Sequence, residues 1–150
     1  MPRVIGQVPL ELKKRESKER LFPEINNDNY KNDMAIALGI NLCVNGGTAI
    51  FCGKKETANK ILNRIIDIKE RGFDISNLTN SSDLQEMEKL SYLIECEMGK
   101  ESDYYKASKL GAYVHHGGIP MGIRSSIEYA MQVEKIRFIT CTSTLAQGVN

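Results

Sequence analysis

The chain is expected to fold as an α/β domain, with a parallel sheet flanked by helices. Two observations carry this. Short apolar, β-rich runs alternate along the chain with longer stretches of helical periodicity, which is the order a parallel sheet with crossover helices requires. The runs are continuously apolar rather than alternating and are bounded by glycine, as in strands covered on both faces. Length and composition agree: 150 residues, 41% hydrophobic and 26% charged, suit one globular domain with a substantial core.

Residues 1–32 are polar and mixed, with Pro2, Pro9, Pro23 and an Asn-Asn-Asp-Asn cluster. They read as a connecting segment holding a short charged helix near 10–20. From Asn32 the pattern turns helical, with Asn32 or Asp33 as the cap and Ala35, Leu38 and Leu42 on one face. Asn45-Gly46-Gly47 stops that helix. Thr48 to Cys52 then reads as a strand buried on both faces. A helix over 55–71 follows, facing inward through Ala58, Ile61, Leu62, Ile65 and Ile66 and closed by Gly72. Residues 73–80 read as a loop. Ser82 and Gln85 suggest a capping box for a helix over 82–98, ended by Gly99. A shorter helix over 101–110 ends at Gly111. Residues 112–116 form the second strand, Gly117 to Pro120 a turn, and 122–133 a helix with Ile123, Ile127, Ala130 and Met131 inward. Residues 136–141 form the third strand. A three-stranded parallel sheet is thin, so the fold is expected to continue past Asn150.

Charge is balanced, 20 basic against 19 acidic residues. No basic segment announces a nucleic-acid binder, and a locally positive site on a neutral protein stays open. The longest apolar runs are far shorter than the ~20 residues a membrane span needs, and with no basic-then-apolar stretch at the start no secretory signal is expected. A cytoplasmic location without membrane contact is expected. Cys43, Cys52, Cys96 and Cys141 form no C-x-x-C pair, so no metal site is expected. Three of the four lie in apolar runs and read as small buried hydrophobes in a reducing compartment.

Ligands of open α/β sheets bind at the carboxyl ends of the strands. Three places there could carry chemistry. At the first, Gly47 and Gly53 are five residues apart and Lys54 is followed by Lys55, which fails the spacing Gly-x4-Gly-Lys-Ser/Thr of a phosphate-binding loop. At the second, His115-His116-Gly117-Gly118 sets two imidazoles at a strand end. Either they serve a site, or one packs inward while the other is solvated. Nothing in the spacing identifies a nucleophile with its base and orienting partner. At the third, Thr142-Ser143-Thr144 gathers hydroxyls where a strand ends and a helix could begin. That suits a phosphate, and it equally suits a cap that merely stops the strand.

Residues 111–150 resemble the second RecA-like domain of superfamily 2 ATP-dependent helicases, and more narrowly the superkiller-like branch of the DEAD/DEAH-box relatives. The likeness lies in the His115-His116-x-Gly118 turn, Arg124 and Glu128 in the following helix, and Thr142 through Asn150. Gly46 to Ile61 resembles the strand and helix that open this domain. The resemblance covers residues 33–150 and implies a RecA-like parallel sheet, incomplete at its C-terminus. It implies that Thr142, Ser143, Thr144 and Arg124, with His115 and His116 at the same strand edge, contact a nucleic-acid backbone. It also implies that Gly148 and Asn150 face a nucleotide cleft. The partners would be a DNA or RNA strand and a first RecA-like domain. The intact helicase would use ATP and Mg2+. The phosphate cradle, the magnesium carboxylate and the arginine that phosphoryl transfer needs are missing from this sequence, so the fragment alone is expected to bind neither cofactor and to be inactive as an NTP hydrolase. Two alternatives stand beside this reading: a non-catalytic RecA-like adapter for nucleic acid or protein, and an unrelated small phosphate-binding α/β protein.

Overall fold

Strand β3 (Phe138–Cys141) is buried along its whole length and lies at the centre of the sheet. β1 (Thr48–Phe51) and β2 (Tyr113–His115) pair with it on either side, both parallel, in the order β1-β3-β2. This is a computed structural model, and it describes residues 16–24 and 30–145. The architecture is the expected α/β one, a three-stranded all-parallel sheet flanked by helices, and is consistent with a RecA-like fragment. Register aligns the strand ends: Phe51 pairs with Cys141, and Cys141 with His115. The carboxyl ends of all three strands therefore finish in one row.

Among the described residues, six helices complete the element order: α1 (Tyr30–Leu42), α2 (Lys55–Glu70), α3 (Ser76–Asn80), α4 (Leu84–Met98), α5 (Asp103–Ser108) and α6 (Met121–Gln132). The inward faces of α2 and α6 are those their spacing predicts, through Ala58, Ile61, Leu62 and Ile65, and through Ile123, Ile127 and Ala130. The cap of α4 sits one residue later than expected. Asp83, not Ser82, accepts the N–H of Glu86 at 2.9 Å, while Ser82 donates back to the carbonyl of Leu78. The expected loop 73–80 contains α3. Asp74 accepts the N–H of Ser76, and the hydroxyls of Ser81 and Ser82 cover the last carbonyls. Five residues are too short a stretch for periodicity to reveal.

Two expectations fail at one end of the sheet. The inward face of α1 is Asp33, Ile36, Ala37 and Ile40, while Leu38 and Leu42 are each 45% exposed. The helix is apolar nearly all round, so spacing cannot choose its face. A buried ion pair chooses it: both carboxylate oxygens of Asp33 take hydrogen bonds from Arg64 of α2, at 3.1 and 3.0 Å. Asp33 is therefore not a cap, and the helix already starts at Tyr30. Gly39 on the same face admits Phe138 so closely that an added Cβ would lie 2.6 Å from its ring. β1, expected to be buried on both faces, alternates instead and leaves Phe51 67% exposed. One of its faces is left uncovered, and a four-residue apolar run looks the same whether one face or two are covered.

Within the stretch read as a connecting segment, Tyr30–Asn32 open α1 and Phe22 is fully buried, edge-on to Phe73 with ring centroids 4.9 Å apart. Leu21 and Glu24 are tied down by hydrogen bonds from Arg64 and to Asp33. The charged helix expected near 10–20 lies mostly outside the described residues, and Glu16 to Glu19 form a turn. Cys43, Cys52 and Cys141 are buried and Cys96 is exposed. Burial pushes the Cys141 thiol up to about 11, which makes it a packing group rather than a nucleophile. Among the described residues, no helix is long and apolar enough to cross a membrane.

Candidate functional site

The row of strand ends brings the three sequence-predicted places together. Past Phe51, the Cys52 N–H bonds the Cys141 carbonyl at 2.7 Å, and Gly53, Lys54 and Lys55 lead into α2 with both lysines exposed. Past Cys141, the Thr142 N–H bonds the carbonyl of His115 at 3.1 Å. A Cβ on Gly117 would sit 4.0 Å from the Thr144 methyl group, so the His-His-Gly-Gly turn lies against the Thr-Ser-Thr segment. Thr142 and Thr144 are half-buried and Ser143 is exposed. The Leu145 N–H returns to the Thr142 carbonyl at 3.2 Å and closes a turn. Gly148 and Asn150 lie outside the described residues.

Both histidines are buried, His115 at 0% and His116 at 3% exposure, so the expectation that one of a packed pair would be solvated does not hold. Every ring nitrogen has a partner. His116 Nδ1 accepts the Gly118 N–H at 3.0 Å, which leaves Nε2 as donor to Asn59 Oδ1, also at 3.0 Å. Tyr104 of α5 donates to the same amide oxygen. This fixes His116 as a neutral imidazole joining the turn to α2. Burial is the main cause, with the Lys55 and His115 charges next, that holds its pKa below the ordinary imidazole range.

A stability effect with a definite sign follows. The unfolded chain takes up a proton at ordinary imidazole pH that folded His116 refuses. Its contribution is therefore complete above about pH 6.5 and is lost progressively as pH falls from there through the lower value of the folded imidazole. Replacing His116 with Asn, which does not titrate, should remove this part of the acid sensitivity. The check is chemical denaturation of both proteins at pH 7.5 and 5.5. Equal losses in the two would overturn the assignment.

His115 makes a different connection. Its Nε2 lies 2.7 Å from Glu128 Oε1 on α6, and its Nδ1 lies 3.2 Å from Thr144 Oγ1. Thr144 Oγ1 is in turn 3.3 Å from Thr142 Oγ1. Carboxylate, imidazole and two hydroxyls thus run in line from α6 to the edge. Arg124 stands one turn before Glu128 on the same helical face. It is half-buried and makes no ion pair among the described residues, and its Nε is buried without a hydrogen-bond partner. Glu128 is named in the sequence only as part of the family likeness, with no site role, and its contact to His115 comes from the fold. Asn59 is the site residue that sequence reasoning missed. Asn59 stands 57 positions from His116, and nothing local marks it.

Among the described residues, no group of three or more His, Cys, Asp or Glu side chains is placed to hold a metal ion. A separate cleft of about 620 Å³ between residues 18–20, α1 and α2 shares no lining residue with this edge. In comparisons with known proteins, no family model and no curated protein matches the chain.

Proposed function

We propose that this chain is the strand-gripping part of an ATP-driven nucleic-acid helicase or translocase, and that it works against a first RecA-like domain. The observation that carries the reading is the common edge. Strand register sets the hydroxyls of Thr142, Ser143 and Thr144, the His-His-Gly-Gly turn and the exposed Lys54 and Lys55 side by side. Hydroxyl donors next to cations match what a phosphodiester backbone presents, and they carry no base information. The grip is therefore indifferent to sequence and sensitive to salt. Arg124 supplies a cation that makes no ion pair among the described residues.

ATP and Mg2+ belong to the intact machine in this reading. One stretch of this chain does not fit them: the glycine–lysine spacing at 47–55 is not that of a phosphate cradle. No hydrolytic step is assigned to the chain.

Fluorescence anisotropy with a labelled single-stranded oligonucleotide, across a salt series, is the test. Log affinity is expected to fall linearly with log salt, with a slope of roughly 0.7 per phosphate contacted. Thr142→Val should weaken binding by about 0.5–1.5 kcal/mol, roughly two- to twelvefold. Arg124→Ala should lower the salt slope by roughly 0.7. No binding at low salt, or variants that behave as wild type, would reject the proposal. So would nucleic-acid-stimulated ATP turnover by the chain alone.

A further inference from the structure

We infer that Glu128, His115 and Thr144 form a proton relay that sets whether the Thr142–Thr144 hydroxyl pair donates or accepts at the sheet edge, and that a phosphodiester held there is bound together with one proton on His115. The inference rests on the nucleic-acid reading above and concerns how that same site is switched.

The hydrogens can be followed one by one. A carboxylate has no proton to give, so across 2.7 Å His115 Nε2 must donate to Glu128. In a neutral imidazole the other nitrogen is then bare, and across 3.2 Å Nδ1 accepts the Thr144 hydroxyl proton. Thr144 has only one proton, so its remaining contact, 3.3 Å to Thr142 Oγ1, is one in which Thr142 donates. Both hydroxyl protons are spent inside the chain and lone pairs face outward. Phosphate oxygens only accept, so the neutral relay offers them the wrong polarity.

A proton taken from solvent onto Nδ1 reverses the chain. Nδ1–H now donates to Thr144 Oγ1, the Thr144 proton is released, and one hydroxyl proton is free for an acceptor outside. No covalent bond between heavy atoms changes. The ring charge is met by Glu128, so no uncompensated cation is left buried. The other charged or titratable groups around the ring come from several elements. His116, next in sequence, is held neutral by Gly118 and Asn59. Lys55 and Glu56 stand at the start of α2 close enough to act on the His116 charge, and Arg124 shares the Glu128 face of α6. From the end of β3 come the Thr142 and Thr144 hydroxyls and Cys141, the register partner of His115, whose thiol burial pushes up to about 11 and so keeps neutral. An arriving phosphodiester adds negative charge at the edge and favours the protonated ring. His115 is itself fully buried, so it acts through Thr144 as a positioning residue.

The test uses the 150-residue chain and a labelled single-stranded oligonucleotide from pH 5.5 to 8.5 at constant ionic strength. Imidazole 15N NMR is recorded with and without the oligonucleotide. In the free chain at high pH, His115 should carry its proton on Nε2 with Nδ1 bare. Affinity should fall about tenfold per pH unit above the titration of the ring. Oligonucleotide at fixed pH should raise the doubly protonated fraction of His115. Thr144→Val keeps the His115–Glu128 pair and should flatten the pH profile, and His115→Gln should flatten it too. An Nδ1–H tautomer in the free chain, or no added protonation of His115 on binding, overturns the relay without any variant needing to fold. Binding that is salt-sensitive but flat with pH overturns the relay and leaves the nucleic-acid reading standing. No binding at any pH overturns both.

Discussion

Replacing Asp33 with alanine should lower the unfolding free energy by about 3–5 kcal/mol, the cost of leaving a buried charge without its partner. Asp33 is 1% exposed and holds Arg64 through both oxygens, at 3.1 and 3.0 Å, and it also accepts the Glu24 N–H at 2.9 Å. Arg64 would keep Asp67 at 2.6 Å and the Leu21 carbonyl at 2.8 Å. Asp67 is nearly half exposed and cannot compensate a desolvated guanidinium as well. The loss should also be felt at a distance. Arg64 lies over the Phe22 ring, 5.4 Å from its centroid, and the Asp33–Arg64 pair ties residues 21–24 to α1 and α2. Limited proteolysis in the 16–24 stretch should therefore accelerate in the variant. Urea denaturation gives the energy. A double variant, Asp33→Leu with Arg64→Met, should recover most of it, since an apolar pair of similar volume needs no compensation. A loss below about 1 kcal/mol for Asp33→Ala would mean that the pair is dispensable.

Gly111→Ala should cost about 2–5 kcal/mol, from two terms that add. The backbone at Gly111 has φ +85°, where an L side chain is strained by about 1–2 kcal/mol. An added Cβ would also lie 2.7 Å from the Leu78 carbonyl oxygen and 2.9 Å from its carbon. Those are backbone atoms of α3, so relief requires the helix itself to move, a further ~1–3 kcal/mol. Gly99 is the internal control. It has φ +87° with nothing within 4 Å of the added atom, so Gly99→Ala should show the conformational cost alone. Thermal or urea unfolding of the two variants separates the terms, and equal losses would refute the steric one. Gly111 stands two residues before β2, so its displacement should carry over to His115 and the edge. Gly99 ends α4 far along the chain from that strand and should leave oligonucleotide binding unchanged.

What the sequence alone determined is the local grammar. The alternation of apolar runs and helical stretches led to the three strands and to five of the six helices, because period and turn chemistry are properties of neighbours in the chain. The glycines that close α2, α4 and α5 were readable for the same reason, and all three take positive φ. The three candidate places at strand ends were likewise legible, since a parallel sheet must put its carboxyl ends on one side. What tertiary structure decided is burial and polar satisfaction. Leu38 and Leu42 are exposed because Asp33 finds Arg64 thirty-one positions away and turns α1 with it. Phe51 is exposed because only one face of β1 is covered, which alternating burial along the strand shows and which its own sequence cannot. His115 and His116 are interior groups because Glu128 and Asn59, from two different helices, satisfy nitrogens that would otherwise need water. A buried polar atom is tolerated only with a partner, and that partner is chosen by the packing of elements far apart in sequence.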